Sequence, residues 1–131
     1  MNKHLIFIVA YNHENFLEKV LDRLPKEVAK DKYKILIIDD ASKDNTSINA
    51  SNWKKRNSNY SIEILKNPKN QGYGGNQKIG FQYAINNKFK TVTLLHGDGQ
   101  YAPEIIVDMI NEFEKTNSNL LLGSRMMIKK N

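Results

Sequence analysis

The run Ile35-Leu36-Ile37-Ile38, closed at once by Asp39-Asp40, constrains the fold more than any other stretch of the chain. Four consecutive apolar residues leave no alternation between a wet and a dry face. They read as a strand buried on both faces, as in a parallel sheet covered by helices on two sides. The theme repeats. Residues 4–10, 33–38, 60–65 and 91–95 read as strands, and 120–122 begin a fifth. Helical spacing fills the gaps. Phe16, Leu17, Val20, Leu21 and Leu24 mark a helix over 14–24 that Pro25 ends, and Ser42 with Asp44 can start another running to about Arg56. Ile79, Phe81, Tyr83, Ala84 and Ile85 mark a helix over 75–87. A fourth spans 103–115, with Pro103 in its first turn. Repeated β-α units predict an α/β fold, a mostly parallel sheet flanked by helices with right-handed crossovers.

At 131 residues the chain is one domain's worth. It has no cysteine, which excludes disulfides and thiolate metal sites. No apolar run approaches the length of a membrane span. The net charge of +6 favours anionic partners such as nucleotides or an acidic lipid surface. Lysine far outnumbers arginine, which disfavours base-reading of nucleic acid. No nucleic-acid partner is therefore expected, and a cytoplasmic location is.

All strands of a parallel sheet point their carboxyl ends one way, so the loops after them share one rim, where ligands of open α/β sheets bind. Four such ends are polar: Tyr11-Asn12-His13-Glu14, Asp39-Asp40-Ala41-Ser42-Lys43-Asp44, Asn70-Gln71-Gly72-Tyr73-Gly74-Gly75-Asn76 and His96-Gly97-Asp98-Gly99-Gln100. Asp98, between two glycines, stands where a hard cation could be held against a phosphate, although a capping or turn role explains a lone aspartate equally well. Asp44 is explained by helix capping. Two adjacent acids at a strand end repel each other unless a ligand or cation offsets the cost. The glycine loop lacks both the G-x-G-x-x-G and the GK[ST] signatures, so a dinucleotide dehydrogenase or a P-loop ATPase is not expected. His4 and His13 read as surface residues without a role.

Taken together, 9–14, 38–46, 70–72 with the helix after them, 97–100 with Pro103-Glu104, and Gly123-Ser124-Arg125 resemble family 2 glycosyltransferases of the type-A fold. The order and spacing agree over essentially the whole chain. The Asp-Gly-Gln and Pro-Glu pieces are most similar to polyprenyl-phosphate sugar synthases of the dolichol-phosphate mannose type. The resemblance implies a Rossmann-like domain over 1–131 that holds a nucleoside-diphosphate sugar, with acceptor-binding residues lying beyond it. It implies an inverting transfer to a polyprenyl phosphate or another glycan or lipid acceptor at the inner face of a membrane.

It also implies a substrate-binding set. Tyr11 would line the base pocket, Asn12 would belong to the substrate-binding set beside it, Asp40 would accept from the base, and Asp39 would support the base or ribose. Gly72, Gly75 and Asn76 would let the backbone pass the nucleotide. Gln100 would face the sugar phosphate and Arg125 a phosphate. Asp98 would be the catalytic carboxylate and the ligand of a divalent cation, manganese or magnesium. His96 stands where the family usually has a first acid. Imidazole suits manganese better than magnesium. His96 therefore reads as a metal ligand, a phosphate donor or a buried filler, with a phosphate or sugar contact favoured. Two other classes stay open: a nucleotide-binding module without turnover, and a receiver-like phosphorelay domain. The second fits poorly, because its acid pair follows the first strand and here the pair follows the second.

Overall fold

The computed structural model describes residues 2–116 and 119. Four parallel strands, β1 (His4–Ala10), β2 (Tyr33–Asp39), β3 (Ile62–Lys66) and β4 (Thr91–His96), form one sheet in the order β3-β2-β1-β4. Helix α1 (Leu17–Asp22) and a 3-10 turn (Lys26–Ala29) link β1 to β2. Helix α2 (Thr46–Arg56) links β2 to β3, and α3 (Gly72–Asn86) links β3 to β4. A 3-10 turn (Pro103–Ile105) then leads into α4 (Ile106–Lys115). The register is flush at the carboxyl ends. Ala10 pairs with Asp39, Asp39 with Lys66, and Val9 with His96. The expected α/β architecture is thus present, with all four loops on one rim. The expected strand at 120–122 and the piece 123–125, Arg125 included, lie outside the described residues.

Strand alternation divides the core. Ile6, Ile8, Ile35, Ile37 and Leu95 face Leu17, Leu21, Trp53, Ile106 and Ile110 of α1, α2 and α4. Leu5, Phe7, Val9, Leu36 and Ile38 face the other way, toward Ala84 of α3. Helix α3 approaches closely because Gly80 has no side chain: a Cβ there would fall 2.0 Å from the ring of Phe7. The Phe7 ring also meets Phe81 edge-on, with centroids 6.1 Å apart.

Helices α1, α2 and α3 start away from the sequence expectation, the first two because a polar tie outweighs periodicity, and α4 starts at Ile106 instead of Pro103, after the 3-10 turn. Helix α1 starts at Leu17 instead of Glu14, since the Glu14 backbone N–H donates to Asp44 and its carboxylate accepts from the Asn45 N–H. Helix α2 starts at Thr46 instead of Ser42, because Ser42 is bound into a turn by Asp39 and Asp44 accepts from the Thr46 N–H. Helix α3 starts earlier, at Gly72, whose φ of +76° is a left-handed entry that glycine adopts without strain. His4 is not a surface residue. It is 1% exposed, bonded through Nδ1 to the Thr91 hydroxyl at 2.8 Å, and its Nε2 lies 3.6 Å from Glu114.

Candidate functional site

The rim is built from two hydrogen-bond networks and one loop. The first network ties the β1–α1 loop to the β2–α2 loop. Asn12, at φ +53°, donates its N–H to the Ser42 hydroxyl at 2.8 Å and accepts from the Lys43 N–H at 3.0 Å. The His13 N–H donates to the Thr46 hydroxyl at 2.9 Å. Burial works to raise the Asp44 carboxyl, but the hydroxyl and amide of Thr46 and the Glu14 amide overrule it and hold Asp44 below the usual carboxylate range. Asp39 is the anchor. It is wholly buried, with one oxygen accepting from the Ser42 N–H and hydroxyl and the other from the Ser47 hydroxyl. The expected direct support of base or ribose by Asp39 is therefore corrected. Its oxygens are spent on the turn, and it acts on a ligand only by fixing that turn.

The second network centres on Asp40. Its Oδ1 accepts from the Asn67 amide at 2.9 Å and from the Gln71 N–H at 2.7 Å, and Asn70 donates to its backbone carbonyl at 3.1 Å. Among the described residues these bonds engage Oδ1 and the backbone carbonyl and leave Oδ2 outside the network. Asp39 and Asp40 thus turn to separate partner sets, as successive residues of an extended chain do. The argument that two adjacent acids require a cation fails for this physical reason. Asn76 is also reassigned. It is 2% exposed, donates to the Ile38 carbonyl and accepts from Asn67, so it fastens α3 to β2 and is not positioned beside a passing nucleotide. Gly72, Tyr73 and Gly74 are exposed beside it and Gly75 is half-buried, and a Cβ on Gly72 or Gly74 would meet nothing within 4 Å.

The β4–α4 loop carries Asp98. Its Oδ1 accepts from the Gln100 N–H at 3.0 Å, an Asx turn. Gly97 is required: a Cβ there would lie 2.8 Å from His13 Nδ1 and 3.2 Å from the Val9 carbonyl. The Arg23 guanidinium clamps Glu104 through two bonds of 2.7 and 2.9 Å and reaches the Gly99 carbonyl at 3.4 Å. His96 Nε2 and the Tyr73 hydroxyl share a 2.8 Å hydrogen bond. His96 is half-exposed, so it is not a buried filler, and it shares its Nε2 with Tyr73.

Tyr11, Asn12, Asp39, Asp40, Gly72, Gly75, Asn76, His96, Asp98 and Gln100 all lie on the carboxyl rim, as expected from sequence. Sequence reasoning missed His13, Arg23, Asn67, Tyr73 and Tyr101. His13 is the clearest loss. Its ring packs on Gly97 and its Nδ1 accepts weakly from the Tyr11 N–H. Burial lowers its pKa, while Asp98 and Asp44 pull it up and His96 pushes it down. The Asn67 position was visible at the end of the third strand. Nothing in the sequence marks Arg23, which meets Glu104 across 81 residues. Two open surface depressions, one around Lys30, Asp31 and Tyr60 and one around Lys54, Lys55 and Glu63, hold none of the rim residues and no matching chemistry.

The fold is that of the type-A glycosyltransferases. A mannosyltransferase of Pyrobaculum calidifontis, in complex with GDP-Man and Mn2+, superposes with a TM-score of 0.64 at 16% identity, over 80% of this chain and 30% of that one. TarS of S. aureus, in complex with UDP-GlcNAc, gives 0.65 at 17% identity, over 86% of this chain and 31% of that one. The chain belongs to glycosyl transferase family 2, whose sequence profile matches residues 5–131. An uncharacterised protein of Methanocaldococcus jannaschii is 30% identical over 92% of this chain and 51% of its own length. The dolichol-phosphate mannosyltransferase of Pyrococcus furiosus is 28% identical over 92% of this chain and 32% of its own. The chain thus spans about half the length, or less, of these curated relatives.

Proposed function

We propose that this chain is the donor-binding part of an inverting glycosyltransferase, one that takes a sugar from a nucleoside diphosphate and delivers it to a polyprenyl phosphate or another lipid or glycan acceptor. One observation carries the reading. A flush parallel rim gathers Asp40, the 72–75 glycine stretch and the Asp98 loop on successive strand ends. The relatives' names supply the acceptor class, and a chain of net charge +6 suits an anionic membrane surface. No helix of the described residues is long and apolar enough to cross a membrane.

The donor would lie across the rim. Asp40, with Oδ1 held by Asn67 and Gln71, turns its other oxygen to the base edge, with Tyr11 beside it as a 42%-exposed ring able to stack. The exposed glycines let backbone approach the ribose and diphosphate. Asp98 faces the diphosphate, and Arg125 is the candidate for a second phosphate contact. A divalent cation fits the donor set only in one way. Among the described residues no three His, Asp or Glu side chains gather to hold it. Asp98 offers a single carboxylate, which suits magnesium or manganese carried in on substrate phosphates and held by one or two carboxylates. Bound there, the ion would neutralise charge on the leaving diphosphate. Asp98 would orient that group through a loop fixed by Arg23 and Gly97. A phosphate acceptor is already anionic at neutral pH and asks for no general base. A receiver-like role is disfavoured, since the acid pair follows β2 and not β1.

The test is a thermal-shift titration with UDP and GDP, with and without manganese. A melting temperature raised by nucleotide, with a metal-dependent increment that Asp98→Ala removes, is the expected result. A folded sample that responds to no nucleotide refutes the reading.

A further inference from the structure

The half-buried His13 stands where three of the rim loops meet. It belongs to the β1–α1 loop, where its Nδ1 faces the Tyr11 N–H at 3.4 Å. Its backbone N–H reaches the Thr46 hydroxyl after β2, at 2.9 Å. Its carbonyl accepts from the Phe16 and Leu17 N–H groups at 3.0 and 2.9 Å, which roots the residue at the start of α1. With both backbone groups tied, the side chain leaves from a fixed point. Its ring crosses to the β4–α4 loop and covers Gly97, so closely that a Cβ there would fall 2.8 Å from Nδ1. After burial, Asp98 is the strongest influence on the pKa of the ring, ahead of Asp44, His96 and Asp39.

Other ties hold the Asp98 loop less directly. Asp98 Oδ1 accepts from Gln100 inside the same loop. The Gly97 N–H bond to the Val9 carbonyl at 2.9 Å continues the pairing of β1 with β4 and fixes the strand end. The Arg23 tie to Gly99 and Glu104 is exposed and screened by water. A rigid ring packed against backbone has no such slack. A donor that spans from Tyr11 to Asp98 needs the two ends at a set separation, and an error of about 1 Å weakens what both ends hold. We propose that His13 is the positioning residue that sets this separation, a strut that seats the Asp98 loop against the Tyr11 loop by packing on Gly97. It acts through the loop and not on the donor. The inference rests on the donor reading above.

Calorimetric titrations of the whole chain with UMP, UDP, GMP and GDP, each in magnesium and in EDTA, test it in wild type, His13→Ala and His13→Asn. The readout is the factor by which magnesium tightens the diphosphate. His13→Ala should cut that factor about tenfold, the size of losing a group that orients a metal-holding side chain, and leave monophosphate affinity in EDTA unchanged. His13→Asn, whose Oδ1 takes the place of Nδ1, should restore most of it. A factor absent from wild type, untouched by His13→Ala or not restored by His13→Asn overturns the strut and leaves the donor reading standing. Equal weakening of monophosphate and diphosphate does the same. Binding of no nucleotide at all overturns both. The contact is also read without ligand. Gly97→Ala should destabilise the wild type and lose part of that cost in the His13→Ala background, and strictly additive costs in urea melts overturn the strut. NMR of the wild type needs no variant. The His13 imidazole signals must shift with diphosphate and magnesium beyond any shift with monophosphate, and equal shifts overturn the strut.

Discussion

Gly80→Ala isolates the contact that fixes α3 over the sheet. The added methyl would lie 2.0, 2.1 and 2.4 Å from three atoms of the Phe7 ring. Ordinary carbon contacts are about 3.5–4.0 Å, so the overlap exceeds 1 Å. Phe7 is wholly buried and packed edge-on to Phe81, so its ring has no open space to enter. Helix α3 must then retreat. Overpacking costs about 1–3 kcal/mol, and an overlap above 1 Å belongs in the upper part of that range, about 2–3 kcal/mol. Replacing glycine by alanine inside a helix returns about 0.8–1 kcal/mol. The net is a loss of about 1–2 kcal/mol, or roughly 4–10 °C in melting temperature for a domain of this size. Gly74→Ala is the matched control. Its Cβ meets nothing within 4 Å, so only the propensity gain applies and the variant should be as stable as wild type or more so. Calorimetric or circular-dichroism melts of both would decide. A Gly80→Ala protein melting at or above wild type would refute the close approach of α3 to β1.

Asn76→Ala should cost about 1–3 kcal/mol by stranding the Ile38 carbonyl and loosening Asn67, and should weaken nucleotide binding through Asp40; denaturant melts and calorimetry measure both. Arg23→Ala removes an exposed, solvent-screened ion pair, so stability should barely change, but the metal-dependent thermal shift should shrink as the Gly99 carbonyl loses its tether. For pH, burial lowers the pKa of His4 against the opposing pull of Glu114, and burial likewise lowers that of His13. A histidine pKa depressed by folding means that the unfolded chain binds more protons below its ordinary value of about 6.5. Stability should therefore be full above pH 6.5 and fall as pH drops from there toward 5. His4→Asn should flatten that slope in pH-dependent urea melts, and an unchanged slope would remove His4 from the account.

The sequence alone determined the architecture and the rim. Apolar runs such as Ile35–Ile38 leave no wet face, alternating helices must cover them, and parallel strands must present their carboxyl ends together. Asp40, Asp98 and the glycines were legible because they interrupt those runs at fixed places. The roles within the rim were decided only by tertiary structure. Adjacent Asp39 and Asp40 look like a pair in the sequence, yet the extended backbone sends them to different networks, and Ser42 and Ser47 neutralise the need for a cation. Asn76 looks in the sequence like a residue beside the nucleotide, yet it is a buried strut. His96, Tyr73 and Tyr101 carry no shared sequence signal, because ring stacking joins elements separated along the chain. Periodicity reports which face of an element is dry; it holds no record of which polar atom on one loop meets which on another, and that pairing is set by packing across the sheet.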